Sequence, residues 1–201
     1  MKPKVLIVIV FLIAVSSFVL ISSHKQVPLP KAPQDIIVQP TIDNSDLKLG
    51  GSSYGDPQGV YQFLYPSEYK IDEQNNGKQI RIYKIGATQK GQTEMYDGAI
   101  IVFEKVTLDG KSLSDWVDNN LDSIQKDGSF EITEPKKSIT LNNYPGFSYS
   151  VRGLGEAKYI IIQKNTESNY AVLLSISVSD PQNVGFQKEV DKTLSTLEIF
   201  K

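Results

Sequence analysis

The nineteen residues from Val5 to Ser23 carry no charge and are dominated by Val, Leu, Ile and Phe. As a helix rising about 1.5 Å per residue they span roughly 28 Å, close to the hydrocarbon thickness of a bilayer. Lys2 and Lys4 precede the run, and His24 and Lys25 follow it. A secretory signal would share the basic start, but it needs a shorter apolar stretch and a small-residue cleavage site. Val15-Ser16-Ser17 offers such a site only weakly, and the apolar residues continue past it through Phe18, Val19, Leu20 and Ile21. The length therefore favours an uncleaved single-pass anchor over residues 1–24, with secretion after cleavage as the alternative. Lys2, Lys4 and the α-amino group point to an N-terminus inside and a body outside the cytoplasm.

Residues 25–55 read as a linker. Pro28, Pro30, Pro33 and Pro40 fall here, four of the ten prolines in the chain. Proline locks φ and removes a donor, so the stretch should be extended and semi-rigid, able to reach up to about 90 Å in polyproline geometry. Asp43-Asn44-Ser45-Asp46 and Gly50-Gly51-Ser52-Ser53 read as flexible.

The body, residues 56–201, has the length of one domain. From Gly51 onward sixteen Lys or Arg face twenty Asp or Glu, a net charge of −4. Nucleic-acid binding needs clustered basic residues, and only Lys136-Lys137 pair up, so that class is set aside. There is no cysteine, which removes disulfides, thiolate catalysis and thiolate metal sites. The single histidine, His24, lies outside the body, so Ser-His-Asp catalysis and histidine metal sites are not expected there.

Period-two alternation predicts strands over Val60 to Tyr65, Gln79 to Ile85, Ala99 to Val106, Lys136 to Leu141 and Phe147 to Arg152. Asn76-Gly77 marks a turn before the second strand. Pro145-Gly146 suits a type II turn between the last two. Tyr159 to Lys164 and Tyr170 to Val178 are apolar on both faces and should be central strands, covered from both sides. Leu113, Trp116, Val117, Leu121 and Ile124 recur at helical spacing behind a Ser112 or Ser114 cap. Asp180-Pro181 reads as a cap with proline at the first helical position, opening a helix with Phe186, Val190, Leu194 and Leu197 on its apolar face. Thr196 to Phe200 should close as a short strand. The fold class is α+β, an antiparallel sheet flanked by helices.

Gly59-Val60-Tyr61-Gln62-Phe63-Leu64-Tyr65-Pro66-Ser67-Glu68-Tyr69 resembles the opening strand of PsbP-like domains, where an aromatic strand ends in a Tyr-Pro turn. The Leu113-Ser114-Asp115-Trp116-Val117 helix, the Asn143-Tyr144-Pro145-Gly146-Phe147 hairpin and the Phe186-to-Phe200 segment follow in that family's order. The resemblance covers about residues 59–200. It implies the α/β/α sandwich shared by PsbP and Mog proteins, a fold used for binding and without established enzymatic activity. Known members include extrinsic subunits of the oxygen-evolving photosystem and a nuclear-import regulator that binds a small GTPase. A body without histidine departs from the photosynthetic members, and no metal or cofactor is carried over from them.

Candidate chemistry is thin. Ser-x-x-Lys occurs at Ser22/Lys25, Ser45/Lys48, Ser67/Lys70 and Ser123/Lys126, but twenty serines and nineteen lysines make chance the better explanation. Asp72-Glu73-Gln74-Asn75-Asn76-Gly77 resembles the start of a calcium loop. Its twelfth position is Tyr83 where a bidentate carboxylate is required, so it reads as a turn. Asp115, Asp118 and Asp122 fall on the polar side of one helix and read as a solvated face. The link from Gly86 to Gly98 is longer than a hairpin needs and puts Met95 and Tyr96 in a polar loop. Met95, Tyr96 and Asp97 are the candidates to meet a partner, most simply a protein; the alternative is that Tyr96 tucks back onto the sheet edge. The expected function is a non-catalytic binding or scaffolding module. The alternative is a small-molecule or lipid carrier with a pocket between sheet and helices, and acid chemistry from paired carboxylates is a third class without a signature.

Overall fold

The structure, a computed structural model, describes residues 51–75, 77–90 and 95–200. The anchor and most of the linker expected from the sequence lie outside these residues. Among the described residues no helix is long and apolar enough to cross a membrane.

Ten strands and two helices follow in the order β1 (Gly51–Gly55), β2 (Tyr61–Pro66), β3 (Lys70–Gln74), β4 (Gln79–Ile85), β5 (Gly98–Thr107), α1 (Leu113–Asp127), β6 (Glu131–Leu141), β7 (Tyr144–Arg152), β8 (Glu156–Ile162), β9 (Tyr170–Ser179), α2 (Phe186–Ser195) and β10 (Glu198–Ile199). Seven strands form one antiparallel sheet in the order β3-β4-β5-β9-β8-β7-β6, and β1-β2-β10 form a second, small one. The doubly apolar segments become β8 and β9, and β9 is the middle strand, as strands buried on both faces should be.

Pairing register carries one apolar row across the large sheet. Ile80 faces Phe103, Phe103 faces Leu174, and Leu174 faces Ile160. The small sheet and α2 close over this face, with Val190 fully buried. Phe63 of β2 lies flat on Phe103 with ring centroids 4.0 Å apart, and Tyr61 stacks 5.9 Å from the same ring. This aromatic stack joins the two sheets, so burial and ring contact act together.

On the opposite face α1 packs against β6 and β7. Its N-cap is Ser112, whose Oγ accepts from the Asp115 N–H, and Gly128 ends it in the left-handed conformation at φ 69°. Lys136 Nζ donates to Ser114 Oγ at 2.9 Å and Asp118 Oδ1 at 2.6 Å while lying 4.8 Å from the Phe147 ring centroid. Asp118 thus meets a cation of its own chain, and Asp115 accepts from Ser112 Oγ.

Four local expectations change. Gly51–Gly55, assigned to the linker for its glycines and serines, is a strand whose Tyr54 ring packs 5.5 Å from Phe63. Asp72 to Gln74, read as part of a turn, belong to β3, where Asp72 faces and ion-pairs with Arg81. The hairpin before β7 turns at Asn142 and Asn143 (φ 50° and 67°), a pair of positive φ values typical of a type I′ turn, and Pro145-Gly146 lie within the strand. Helix α2 starts at Phe186, not Pro181, and its N-cap is Gly185. Asp180 instead folds the preceding loop, its carboxylate accepting from the N–H groups of Val184, Gly185 and Phe186. Partial desolvation opposes ionisation of Asp180, but these donors outweigh it and hold the carboxyl below its ordinary value.

Candidate functional site

The link between β4 and β5 is built around a buried carboxylate. Asp97 is 1 % exposed. Its Oδ2 accepts from both the N–H and the Oγ1 hydroxyl of Thr88, each at 2.8 Å. The Gly86 N–H donates to the Asp97 carbonyl at 2.9 Å, closing the loop at its base. A side chain on Gly86 would occupy the space of the Asp97 carboxyl group, so glycine there is a packing requirement. Gln89 Oε1 accepts from the Tyr96 and Asp97 N–H groups at 2.7 and 2.9 Å. Ser179 of β9 donates from Oγ to the Tyr96 carbonyl at 2.7 Å. Gly98, at φ 140°, turns the chain back into the sheet, with the Met95 sulfur only 2.9 Å from where a Cβ would stand.

The clamp fixes the backbone on both sides of Tyr96, whose side chain is 53 % exposed. Met95 is half-buried against the loop base. Of the three residues expected to meet a partner, Tyr96 and part of Met95 lie at the surface. Asp97 holds the loop from within. That role is not among the sequence expectations, although two glycines bracketing the link at positions 86 and 98 are a signal for close packing. Thr88, Gln89 and Ser179 carry no such signal.

Next to the loop base, Lys84 Nζ lies 2.9 and 3.1 Å from the two carboxylate oxygens of Glu189 on α2. The same ammonium stands 5.8 Å from the Tyr69 ring centroid and 5.6 Å from that of Phe186. Burial, with the Glu189 charge adding to it, pushes the Tyr69 hydroxyl well above its ordinary value, so Tyr69 stays neutral.

Asp97 and Glu104 do not form an acid–base pair. Asp97 meets Thr88, whereas Glu104 accepts from Gln79 Nε2 at 2.8 Å, and Gln79 in turn accepts from Asn75. Burial raises the Glu104 pKa, with the Gln79 bond and the Lys78 charge pulling the other way. Ser123, from one of the Ser-x-x-Lys pairs, spends its hydroxyl on the Asn119 carbonyl inside α1. Among the described residues no three His, Cys, Asp or Glu side chains converge as metal ligands would.

No family model matches the chain, and no curated protein matches it in sequence. Solved structures do match in shape. The solution structure of cyanobacterial PsbP (CyanoP) from Synechocystis sp. PCC 6803 superposes at a TM-score of 0.51 with 13 % identity, over 76 % of this chain and 94 % of that one. The Saccharomyces cerevisiae Ran-binding protein Mog1p aligns at a TM-score of 0.44 with 10 % identity, over 75 % of this chain and 96 % of that one. The chain therefore has a PsbP-like fold, as its sequence resemblance implies. Identity this low speaks for architecture alone.

Proposed function

We propose that this chain is a single-pass membrane protein that displays a non-catalytic binding or scaffolding domain outside the cytoplasm and docks a protein partner through its β4–β5 link. The observation that carries the reading is the exposed Tyr96 side chain, held on a backbone fixed by Gln89, Asp97 and Ser179. A large aromatic side chain on a backbone already held in place loses little entropy on binding, which is what a recognition element requires. The charge-free run at Val5–Ser23 supports the membrane part.

The interior favours a module over a carrier. Between the large sheet and its cover, Tyr61, Phe63 and Phe103 fill the space in ring contact. Asp97 Oδ2 is held by Thr88 and Glu104 by Gln79, so the two carboxylates sit on separate partners, which favours a module over a paired acid–base enzyme even though Asp97 Oδ1 is buried without a hydrogen-bond partner among the described residues. The test is affinity capture of the full chain from cross-linked membranes, with and without the pair Met95→Ala and Tyr96→Ala. Loss of a specific neighbour with unchanged thermal unfolding supports the reading; an unchanged set of neighbours defeats it.

A further inference from the structure

Of the eight large apolar side chains exposed among the described residues, five sit at one end of the large sheet. Ile85 ends β4 and is 50 % exposed, and Tyr96 lies in the next loop. Val184, 62 % exposed, is in the loop after β9, and Leu154, 61 % exposed, tips the β7–β8 hairpin. Phe130 precedes β6, its ring 2.8 Å from where a Cβ on Gly153 would stand, beside the Leu154 tip. Register places them together: Ile85 faces Gly98, Gly98 faces Ser179, and Arg152 faces both Glu156 and Glu131. Six neighbouring strands put the row about 24 Å across at ordinary strand spacing.

The first described strand begins at this same end. Gly51 pairs with Pro66, whose carbonyl accepts from the Tyr69 N–H in a tight turn. Lys70 then pairs with Tyr83, two residues before Ile85. The 27 residues joining Ser23 to Gly51 reach at most about 95 Å.

From these two placements we infer that this end of the domain rests on the bilayer surface, with Leu154, Val184, Phe130 and Ile85 dipping into the interface. The inference rests on the anchor reading and specifies where the Tyr96 loop works: at headgroup level, on partners held in the same membrane. Separate protruding side chains on four loops suit lipid better than a protein, because each can insert alone without a continuous matching surface. Tyrosine is at home at that depth. Part of the charge between the tips is paired: Arg152 lies 3.5 Å from Glu131 and from Glu156, and Lys84 is paired with Glu189. A contact too weak to recruit a free protein is sufficient here, since attachment to the same membrane raises the effective concentration of bilayer.

The absence of cysteine makes the test clean. The full chain is reconstituted into phosphatidylcholine vesicles with a fluorophore on Leu154→Cys, Val184→Cys, Thr166→Cys or Ser16→Cys, and lipids carrying a quencher at the headgroup and, in a second set, along the acyl chain are added. Thr166 lies in the β8–β9 connection at the opposite end of the sheet. Quenching at positions 154 and 184 approaching that at position 16, with position 166 at its quencher-free level, supports the inference. Quenching at 16 alone overturns it and leaves the anchor standing. Absence of quenching at 16 removes the anchor and the inference together. Tips untouched by lipid but shielded by a second labelled copy, or by proteins of the native membrane, assign the row to a protein and overturn it.

Discussion

Gly86 and Asp97 share one volume: the carboxyl group of Asp97 occupies the space that any side chain at position 86 would need. The two are also joined through the backbone, Gly86 N–H to Asp97 carbonyl at 2.9 Å. One contact thus decides both how the β4–β5 link closes and where Tyr96 stands.

Gly86→Ala should destabilise the domain by about 1–3 kcal/mol, the usual range for overpacking a filled site. At Gly155 nothing lies within 4 Å of where a Cβ would stand, so Gly155→Ala should stay within about 0.5 kcal/mol of the parent. Urea unfolding of the two variants side by side checks the contrast, and equal effects would remove the packing argument.

The stack of Phe63 on Phe103 at 4.0 Å is the principal tie between the two sheets. Phe103→Ala should cost about 3–5 kcal/mol, as truncation of a buried aromatic does. Phe103→Leu, which keeps most of the volume, should recover a large part of it. Chemical denaturation measures both.

Glu104 supplies a pH dependence of defined sign. Burial raises its pKa above 4.5, so the native state holds the proton at a pH where the unfolded chain has lost it. Stability then falls as pH rises through that window and is regained on acidification. Glu104→Gln keeps an acceptor for Gln79 and removes the charge. Its melting temperature should exceed the parent's at pH 7, with the gap closing below pH 4.5. A gap that is absent at pH 7, or that widens in acid, would contradict this assignment.

Strands with a clear period are legible from the residue pattern alone: Gln79 to Ile85 is expected and observed with the same limits. β1 is not, because Gly51-Ser52-Ser53 carries no apolar alternation and its strand exists only by pairing with β2. β3 is hidden for a similar reason, its Asp72 and Glu73 resembling a turn until Arg81 supplies a partner. The helix cap at Asp180-Pro181 has the right chemistry in the wrong place, since Asp180 reaches forward to Phe186 across a loop. At the site, loop length and the pair Met95-Tyr96 are visible in the sequence. The inward turn of Asp97 is not, because it depends on Thr88, nine residues away along the chain.

The exposed end of the loop admits a decisive measurement in intact cells. A photo-reactive side chain in place of Tyr96, and in a parallel strain in place of Thr166, is activated by light and the membranes are solubilised. The expected result is a discrete membrane-associated protein adduct from position 96 and none from 166. Equal labelling from both positions, or recovery of the domain as a freely dissolved and unmodified chain, would contradict a membrane-held module that docks through this loop.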